Sequence, residues 1–363
     1  MGAPPRDIWW SQRARASGYA SEAELRGAFG FPDYRLNQIY RAAAKELADG
    51  IDSITVLPTV LRRRLAHALP FTTLAARHEA VSADGQTTKV LFGLAGGQEI
   101  EAVLMRHRNG RTTACISSQA GCALKCDFCA TGQSGFRRNL TALEIFDQAL
   151  ALARRARTRG EPLTNIVFMG MGEPFLNYDA VMDAVALLND PKGFGLGARH
   201  ITISTAGVVP GIRRLCSEGI QVNLAVSLHA PDDLLRTKLM PINKRWPIAS
   251  LMEAVREYVA ATRRKVFYEY LMLDGCNDRP ADARQLADLL GGPLHHVNLI
   301  PYNATDAAYV RSDEAVVRRF QEILRERGVP VTVRQTMGAD IAAACGQLRV
   351  DRASAAGAVA RSS

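Results

Sequence analysis

The sequence predicts an α/β fold built around a parallel sheet, and three observations carry that reading. From about residue 112, six short apolar runs alternate with helical patterns, the signature of repeated βα units. Apolar residues make up 47% of the 363 residues and charged residues 22%, enough to bury a large core. No window approaches the roughly 20 uninterrupted apolar residues that a membrane span needs, so an integral helical membrane protein is excluded. A doubly wound sheet and a barrel both satisfy the alternation.

Residues 1–75 read as helical. Ser21 before Glu22-Ala-Glu24 is an N-cap followed by acidic first-turn residues. Pro32-Asp33 opens a second helix running to Lys45, and a third spans Leu61 to Leu69 with Arg62, Arg63 and Arg64 in its middle. Residues 76–111 change to a small β meander: Asp84-Gly85 is a hairpin turn, and Thr88 to Phe92 and Ile100 to Met105 are β-rich. The strand runs of the core, residues 112–350, are Ala114 to Ser117, Asn165 to Met169, His200 to Ser204, Gln221 to Ser227, Val266 to Leu273 and Val297 to Ile300. Helical patterns occupy 141–158, 178–189, 209–218, 248–262, 281–290 and 313–327, and Val331 to Arg334 adds a last strand. Residues 351–363, rich in Ala, Ser, Gly and Arg, are expected to be a disordered tail.

Lys and Arg number 45 against 36 Asp and Glu, a net charge of +9. That balance favours a polyanionic partner such as nucleic acid, although an Ala- and Arg-rich composition gives the same sign without one. The seven cysteines are odd in number, and Met1 to Arg15 contains no signal-peptide apolar core. Both observations argue against a disulfide framework and lead to the expectation of a cytoplasmic protein.

Parallel α/β folds bind ligands at the C-terminal ends of their strands. After the first run comes Cys122-Ala-Leu-Lys-Cys126-Asp-Phe-Cys129. Three thiolates on one loop suit three irons of a cubane cluster and leave the fourth iron open to a chelating ligand. The alternative, a structural zinc with Cys115 as fourth ligand, has a spacing unlike the usual two close pairs. The second run ends in Gly170-Met-Gly172-Glu173-Pro174, where glycines allow close backbone approach and a carboxylate suits an ammonium group. Ser204, Ser227-Leu228-His229 and Asn303 stand at later strand mouths; singly, each reads as a satisfied turn or core residue. Cys345 lies in Ala342-Ala-Ala-Cys345-Gly346, small residues that suit either packing or a mobile thiol-bearing loop.

The three-cysteine loop, with Phe128 before its third cysteine, resembles the radical S-adenosylmethionine superfamily. With Cys345 added, the chain resembles the RlmN/Cfr family of radical-SAM RNA adenine methyltransferases from about Phe31 to Leu348. The anchors are Pro32 to Arg35, Ser117 to Cys122, Cys126 to Gly132, Gly170 to Pro174, Ser227 to His229, Leu239 to Asn243, Asn298 to Pro301 and Ala343 to Leu348. The resemblance implies a partial (β/α)6 radical-SAM barrel. It also implies one [4Fe-4S] cluster on Cys122, Cys126 and Cys129, and two S-adenosylmethionine molecules per turnover. Gly172, Glu173, Ser204, Ser227, Leu228, His229 and Asn303 match positions that bind this cofactor.

The family mechanism assigns further roles. One S-adenosylmethionine methylates Cys345, and a second supplies an adenosyl radical that takes hydrogen from that S-methyl group. The carbon radical adds to an adenine ring carbon that a methyl cation donor cannot attack. Glu101 matches the proton acceptor, and Cys115 matches the thiol that closes a disulfide with Cys345 and releases the product. The implied partners are 23S rRNA, possibly tRNA, and an external electron donor such as flavodoxin; the protein is expected to act as a monomer. Arg35, Arg62 to Arg64, Arg137 and Arg138 are candidates for phosphate contact. Met171 to Pro174, Phe194 to Gly197 and His229 to Pro231 read like the branch that methylates carbon 2. Pro32 to Arg35, Thr88 to Phe92, Cys115 to Ser117, Ala130 to Gly132 and Lys238 to Met240 read like the carbon-8, antibiotic-resistance branch. Carbon 2 is favoured as the commoner housekeeping activity. Two readings of other kinds are a non-catalytic iron–sulfur RNA-binding protein, which needs neither Cys345 nor Glu101, and a radical enzyme acting on a small molecule or peptide.

Overall fold

A computed structural model describes residues 3–291 and 294–349. Four helices come first: α1 (Pro5–Ala16), α2 (Glu22–Phe29), α3 (Tyr34–Ala44) and α4 (Thr59–Ala68). Ser21 caps α2 as predicted, its side chain accepting the Glu24 N–H. These helices share one continuous core with the strands and helices of the larger sheet. Trp9 and Trp10 are fully buried and meet edge to face at 4.8 Å. Arg13, also buried, pairs with Asp147 at 3.0 Å.

The meander has three strands: β1 (Leu74–Val81), β2 (Thr87–Leu94) and β3 (Glu99–Arg106), paired antiparallel. It continues directly into the core sheet, because β3 pairs antiparallel with β4 (Thr112–Cys115). A short hairpin, β5 (Gln119–Gly121) and β6 (Phe136–Asn139), comes next and brackets the cluster loop and the single turn α5 (Ala130–Gln133).

The βα alternation then proceeds as read. Its strands are β7 (Asn165–Phe168), β8 (Ile201–Thr205), β9 (Asn223–Ser227), β10 (Val266–Met272), β11 (His295–Pro301) and β12 (Val331–Val333). Its helices are α6 (Ala142–Arg157), α7 (Tyr178–Asn189), α8 (Val209–Leu215), α9 (Asp233–Leu239), α10 (Ile248–Thr262), α11 (Pro280–Leu289) and α12 (Glu314–Glu326). Strands β4 and β7 to β12 are parallel, each to its neighbour, and the ten-stranded sheet runs in the order β1-β2-β3-β4-β7-β8-β9-β10-β11-β12. β1 and β12 are its two ends, so the wall is an open, partial barrel. Along β7 and β8, fully buried residues alternate with half-buried ones that line the interior cavities. The tail at 351–363 lies outside the described residues. Among the described residues, no helix is long and apolar enough to cross a membrane.

Candidate active site

The C-terminal ends of the parallel strands converge on a cavity of about 160 Å³. Cys122, Cys126 and Cys129 line it together with Gly172, Glu173, Ser204, Ser227, His229 and Cys345. The cysteine loop is fixed from several sides. The Cys122 N–H donates to the Gly135 carbonyl across the β5–β6 hairpin, and the Asp127 N–H donates to the Leu239 carbonyl at the end of α9. The Tyr309 hydroxyl reaches Asp127 Oδ2 at 2.6 Å. Burial pushes the Cys122 thiol up to about 12 and Cys126 well above its ordinary value, with the neighbouring thiols adding to both. Two thiols raised in this way favour the neutral form until a cationic group binds them. No three His, Cys, Asp or Glu side chains among the described residues form a single-ion site. Three thiols on one loop are a soft donor set of the kind that holds an iron–sulfur cluster. Cys115 does not line this cavity, so it is no fourth ligand of a zinc site.

Glu173 is buried opposite the cluster loop. Its Oε1 accepts the Phe175 N–H at 3.0 Å and its Oε2 accepts the Ala206 N–H at 2.7 Å. Burial nevertheless pushes its carboxyl up to about 7, and no salt bridge among the described residues compensates it. A ligand ammonium would do so. Gly172, with φ of +99°, lets the turn press against Gln119: a Cβ there would lie 2.5 Å from the Gln119 Cβ. Gln119 Oε1 in turn accepts the Glu173 N–H at 2.9 Å.

His229 has φ of +59°, and its ring stands edge-on to Phe128 at 4.9 Å. Its Nδ1 accepts the Leu271 N–H at 3.1 Å, and burial lowers its pKa to about 3, so the ring is neutral. Its carbonyl accepts from Asn277 at 2.8 Å. Leu228 differs from its neighbours: its side chain is wholly in the core and lines neither cavity. Only its backbone faces the strand mouths, with its N–H donating to the Glu269 carbonyl.

A second cavity, about 560 Å³, occupies the barrel interior and shares with the first a wall formed by Met169, Glu269, Ile300, Arg334, Cys345 and Leu348. Cys115 and Cys345 both line it, as does Asn303, whose Nδ2 donates to the Cys345 carbonyl at 3.3 Å. Asn303 Oδ1 is buried without a partner among the described residues, an acceptor left for a ligand. Burial pushes the Cys115 thiol up to about 12. The segment carrying Cys345 is tied to the cluster loop: Ala130 N–H donates to Gly346 O at 2.9 Å, and Thr131 Oγ1 to Leu348 O at 2.6 Å.

Glu101 sits apart. It lines a third cavity, about 200 Å³, with His78, Lys89, Leu91, Ile341 and Arg349, beneath the Cys345 segment. Its Oε1 pairs with Lys89 Nζ at 2.9 Å and its Oε2 accepts the Arg349 N–H at 2.8 Å.

Sequence reasoning missed three residues of the site. Glu269 and Arg334 pair inside the barrel at 3.3 Å, and Asn298 donates to Glu269 at 2.9 Å. A lone acid within the apolar run of β10 was the available signal. Arg236, fully buried in the short α9, donates to the carbonyls of Ala206, Ser227 and Leu228 and so braces the mouths of β8 and β9. Of the phosphate candidates, Arg138 is committed to Glu144 by two bonds of 2.8 Å, and Arg64 to the Ala28 and Phe29 carbonyls. Arg35 stacks on exposed Tyr34, and Arg63 and Arg137 are exposed.

Residues 116–289 match the Radical SAM superfamily. The chain is 49% identical over 337 residues to a probable dual-specificity RNA methyltransferase RlmN of Chloroflexus aurantiacus, covering 90% of this chain and 89% of the relative. It is 44% identical to the ribosomal RNA large subunit methyltransferase N of Nitrosopumilus maritimus, covering 89% and 94%. The crystal structure of a radical SAM methyltransferase from Sphaerobacter thermophilus superposes with a TM-score of 0.87 at 53% identity, over 91% of this chain and 97% of that one.

Proposed function

The chain belongs to the RlmN family of radical S-adenosylmethionine enzymes, and from that premise we propose that it methylates a ring carbon of adenosine in RNA, carbon 2 by preference, through a methylated Cys345. Membership implies S-adenosylmethionine and a [4Fe-4S] cluster as cofactors. The observation that carries the reading is the junction of the two cavities: Cys345 stands where the three-cysteine cavity meets the interior cavity that holds Cys115.

Cys122, Cys126 and Cys129 would hold the cluster. Glu173 would take the methionine ammonium, with Gly172, Ser204, Ser227, the backbone around Leu228 and His229, and Asn303 completing the pocket. When bound, the cluster and S-adenosylmethionine supply the one-electron cleavage that yields a hydrogen-abstracting radical. This chain's residues do the rest. Cys345 carries the methyl group from one S-adenosylmethionine to the substrate while a second is consumed. Glu101, set beneath the Cys345 segment and outside the cavity of the two thiols, is the residue the family resemblance assigns to accept the proton lost from the ring carbon. Cys115 then attacks the Cys345 sulfur, forming a disulfide as the methylated base leaves. A protein donor of the flavodoxin kind would supply the electron. The substrate favoured is 23S rRNA, with tRNA second. The base must leave its stack to reach the strand mouths, and Arg62 and Arg63 on the N-terminal helices, with Arg137, are the arginines that remain available for backbone phosphates, since Arg35 Nη1 donates to Gln38 Oε1 and to the Val56 carbonyl, each at 2.7 Å.

The test is anaerobic reconstitution, reaction with methyl-labelled S-adenosylmethionine, a reductant and unmodified ribosomal RNA, then digestion and mass spectrometry against 2-methyl and 8-methyl adenosine standards. A 2-methyl product is expected. An 8-methyl product would move the chain to the resistance-type branch. No RNA label with labelled Cys345 would redirect the search to another RNA. Absence of label on Cys345 in a cluster-loaded protein would overturn the reading.

A further inference from the structure

The Cys345 segment is fastened at both flanks through one carboxylate. Lys89 and Glu101 are diagonal neighbours on one face of the β2–β3 pair, since Lys89 registers with Val103 and Leu91 with Glu101. Lys89 Nζ bonds Glu101 Oε1 at 2.9 Å and also donates to the carbonyl of Ala342 at 3.2 Å, three residues before Cys345. Glu101 Oε2 accepts the N–H of Arg349, four residues after it. Both contacts are charge-assisted; the Glu101 side chain is buried and its bond to Arg349 partly so, while the bond from Lys89 to Ala342 is open to solvent. Ala342 itself has φ of +51°, a conformation an alanine holds only when its surroundings impose it.

We propose that Lys89 is a positioning residue that couples the charge of Glu101 to the placement of Cys345. The proposal rests on the reading of Glu101 as proton acceptor. While Glu101 is a carboxylate, Lys89 is held against it and in turn holds Ala342, and Arg349 is held directly, so the thiol segment stays down. When Glu101 takes the proton of the ring carbon, the C–H electron pair stays with the substrate and the carboxylate becomes a neutral acid. The ion pair to Lys89 and the charge-assisted bond to Arg349 weaken together, and both flanks of Cys345 slacken at the step at which its sulfur must move toward Cys115. Among the described residues, the charged or titratable groups that line this cavity with Glu101 include Lys89, His78 and Arg349.

The test reads the segment, not turnover. Hydrogen exchange of residues 338–349 is followed by mass spectrometry in the full-length protein, together with maleimide labelling of Cys345. Glu101→Gln imitates the protonated acid in nearly the same shape, and Lys89→Met removes the cation. Both are expected to raise exchange of the amides flanking Cys345 about tenfold, while Lys89→Arg stays near wild type. Glu101→Gln preserves volume, so it carries the test if Lys89→Met does not fold. Wild-type exchange in Glu101→Gln would overturn the proposal, as would a Lys89→Arg as loose as Lys89→Met. Because exchange is measured without RNA, a coupled segment in a protein that methylates nothing would fault the functional reading, and an unresponsive segment in an active enzyme would fault the coupling.

Discussion

Arg334 Nη1 lies 3.3 Å from Glu269 Oε2 on the wall that the two cavities share. The Glu269 carboxylate holds the guanidinium's pKa above its ordinary value despite its enclosure. Met169 Sδ is 3.5 Å away from the same nitrogen, and Asn298 completes the carboxylate's partners. Arg334→Met leaves Glu269 buried without a cation. Because the arginine side chain is 34% exposed, the loss is set below that of a fully enclosed pair, at about 2 kcal/mol. Urea unfolding should show it, and adding Glu269→Gln should recover most of it.

Arg13 and Asp147 make the sharper case, since neither side chain is more than 1% exposed. Asp147 also accepts the N–H and hydroxyl of Thr73 at 2.7 and 2.8 Å, so three segments meet on one carboxylate. Arg13→Met should cost about 3–5 kcal/mol. A chemical denaturation midpoint indistinguishable from wild type would show that the N-terminal helices dock without it.

Glu173 gives a pH dependence of defined sign. Its folded pKa, about 7, is above the ordinary 4.5 because of burial. Between those values the ligand-free folded state binds the proton more tightly than the unfolded chain does. The stabilisation is full below pH 4.5 and is lost as pH rises through about 7, amounting to about 3 kcal/mol. Glu173→Gln should flatten that part of the stability–pH curve. A bound ligand ammonium should displace the proton, visible calorimetrically as buffer-dependent binding heat below pH 7.

Gly172→Ala sets a Cβ 2.5 Å from that of Gln119 at a positive φ. The turn that carries Glu173 must shift to relieve it. About 2 kcal/mol of stability should be lost, with S-adenosylmethionine affinity measured by equilibrium dialysis falling in parallel; unchanged affinity would show that the turn does not shape the pocket.

Much of this architecture is readable before any coordinates. Short, mostly apolar runs mark the parallel strands, so β7, β10 and β11 lie within two residues of their predicted bounds, and Pro280 marks the start of α11 as a first-turn proline does. What escapes is short or non-local. The three-residue β5 and four-residue β6 contain Gln, Gly, Arg and Asn and carry no periodicity. α9 has seven residues, and the Arg236 within it looks like any surface base until the fold brings three carbonyls to it. Glu101, Cys115 and Cys345 are legible as candidates through family resemblance. That Glu101 lies outside the cavity of the two thiols depends on the register of β2 against β3 and on the path of residues 334–349, which no local pattern encodes.

The antiparallel union of β3 with β4 has a consequence for the chain's redox safety. Cys115 is the last residue of β4, registered opposite Val103 on one side and Val167 on the other. Flanking strands thus occupy both lateral hydrogen-bonding edges, and a thiol of this kind meets other molecules only through the interior. A polypeptide beginning at β4 would place the same sulfur on a bare sheet margin, where a second chain can add a strand and bring its own Cys115 alongside. The meander insulates this sulfur: it keeps a buried thiol from meeting its twin on another copy of the chain.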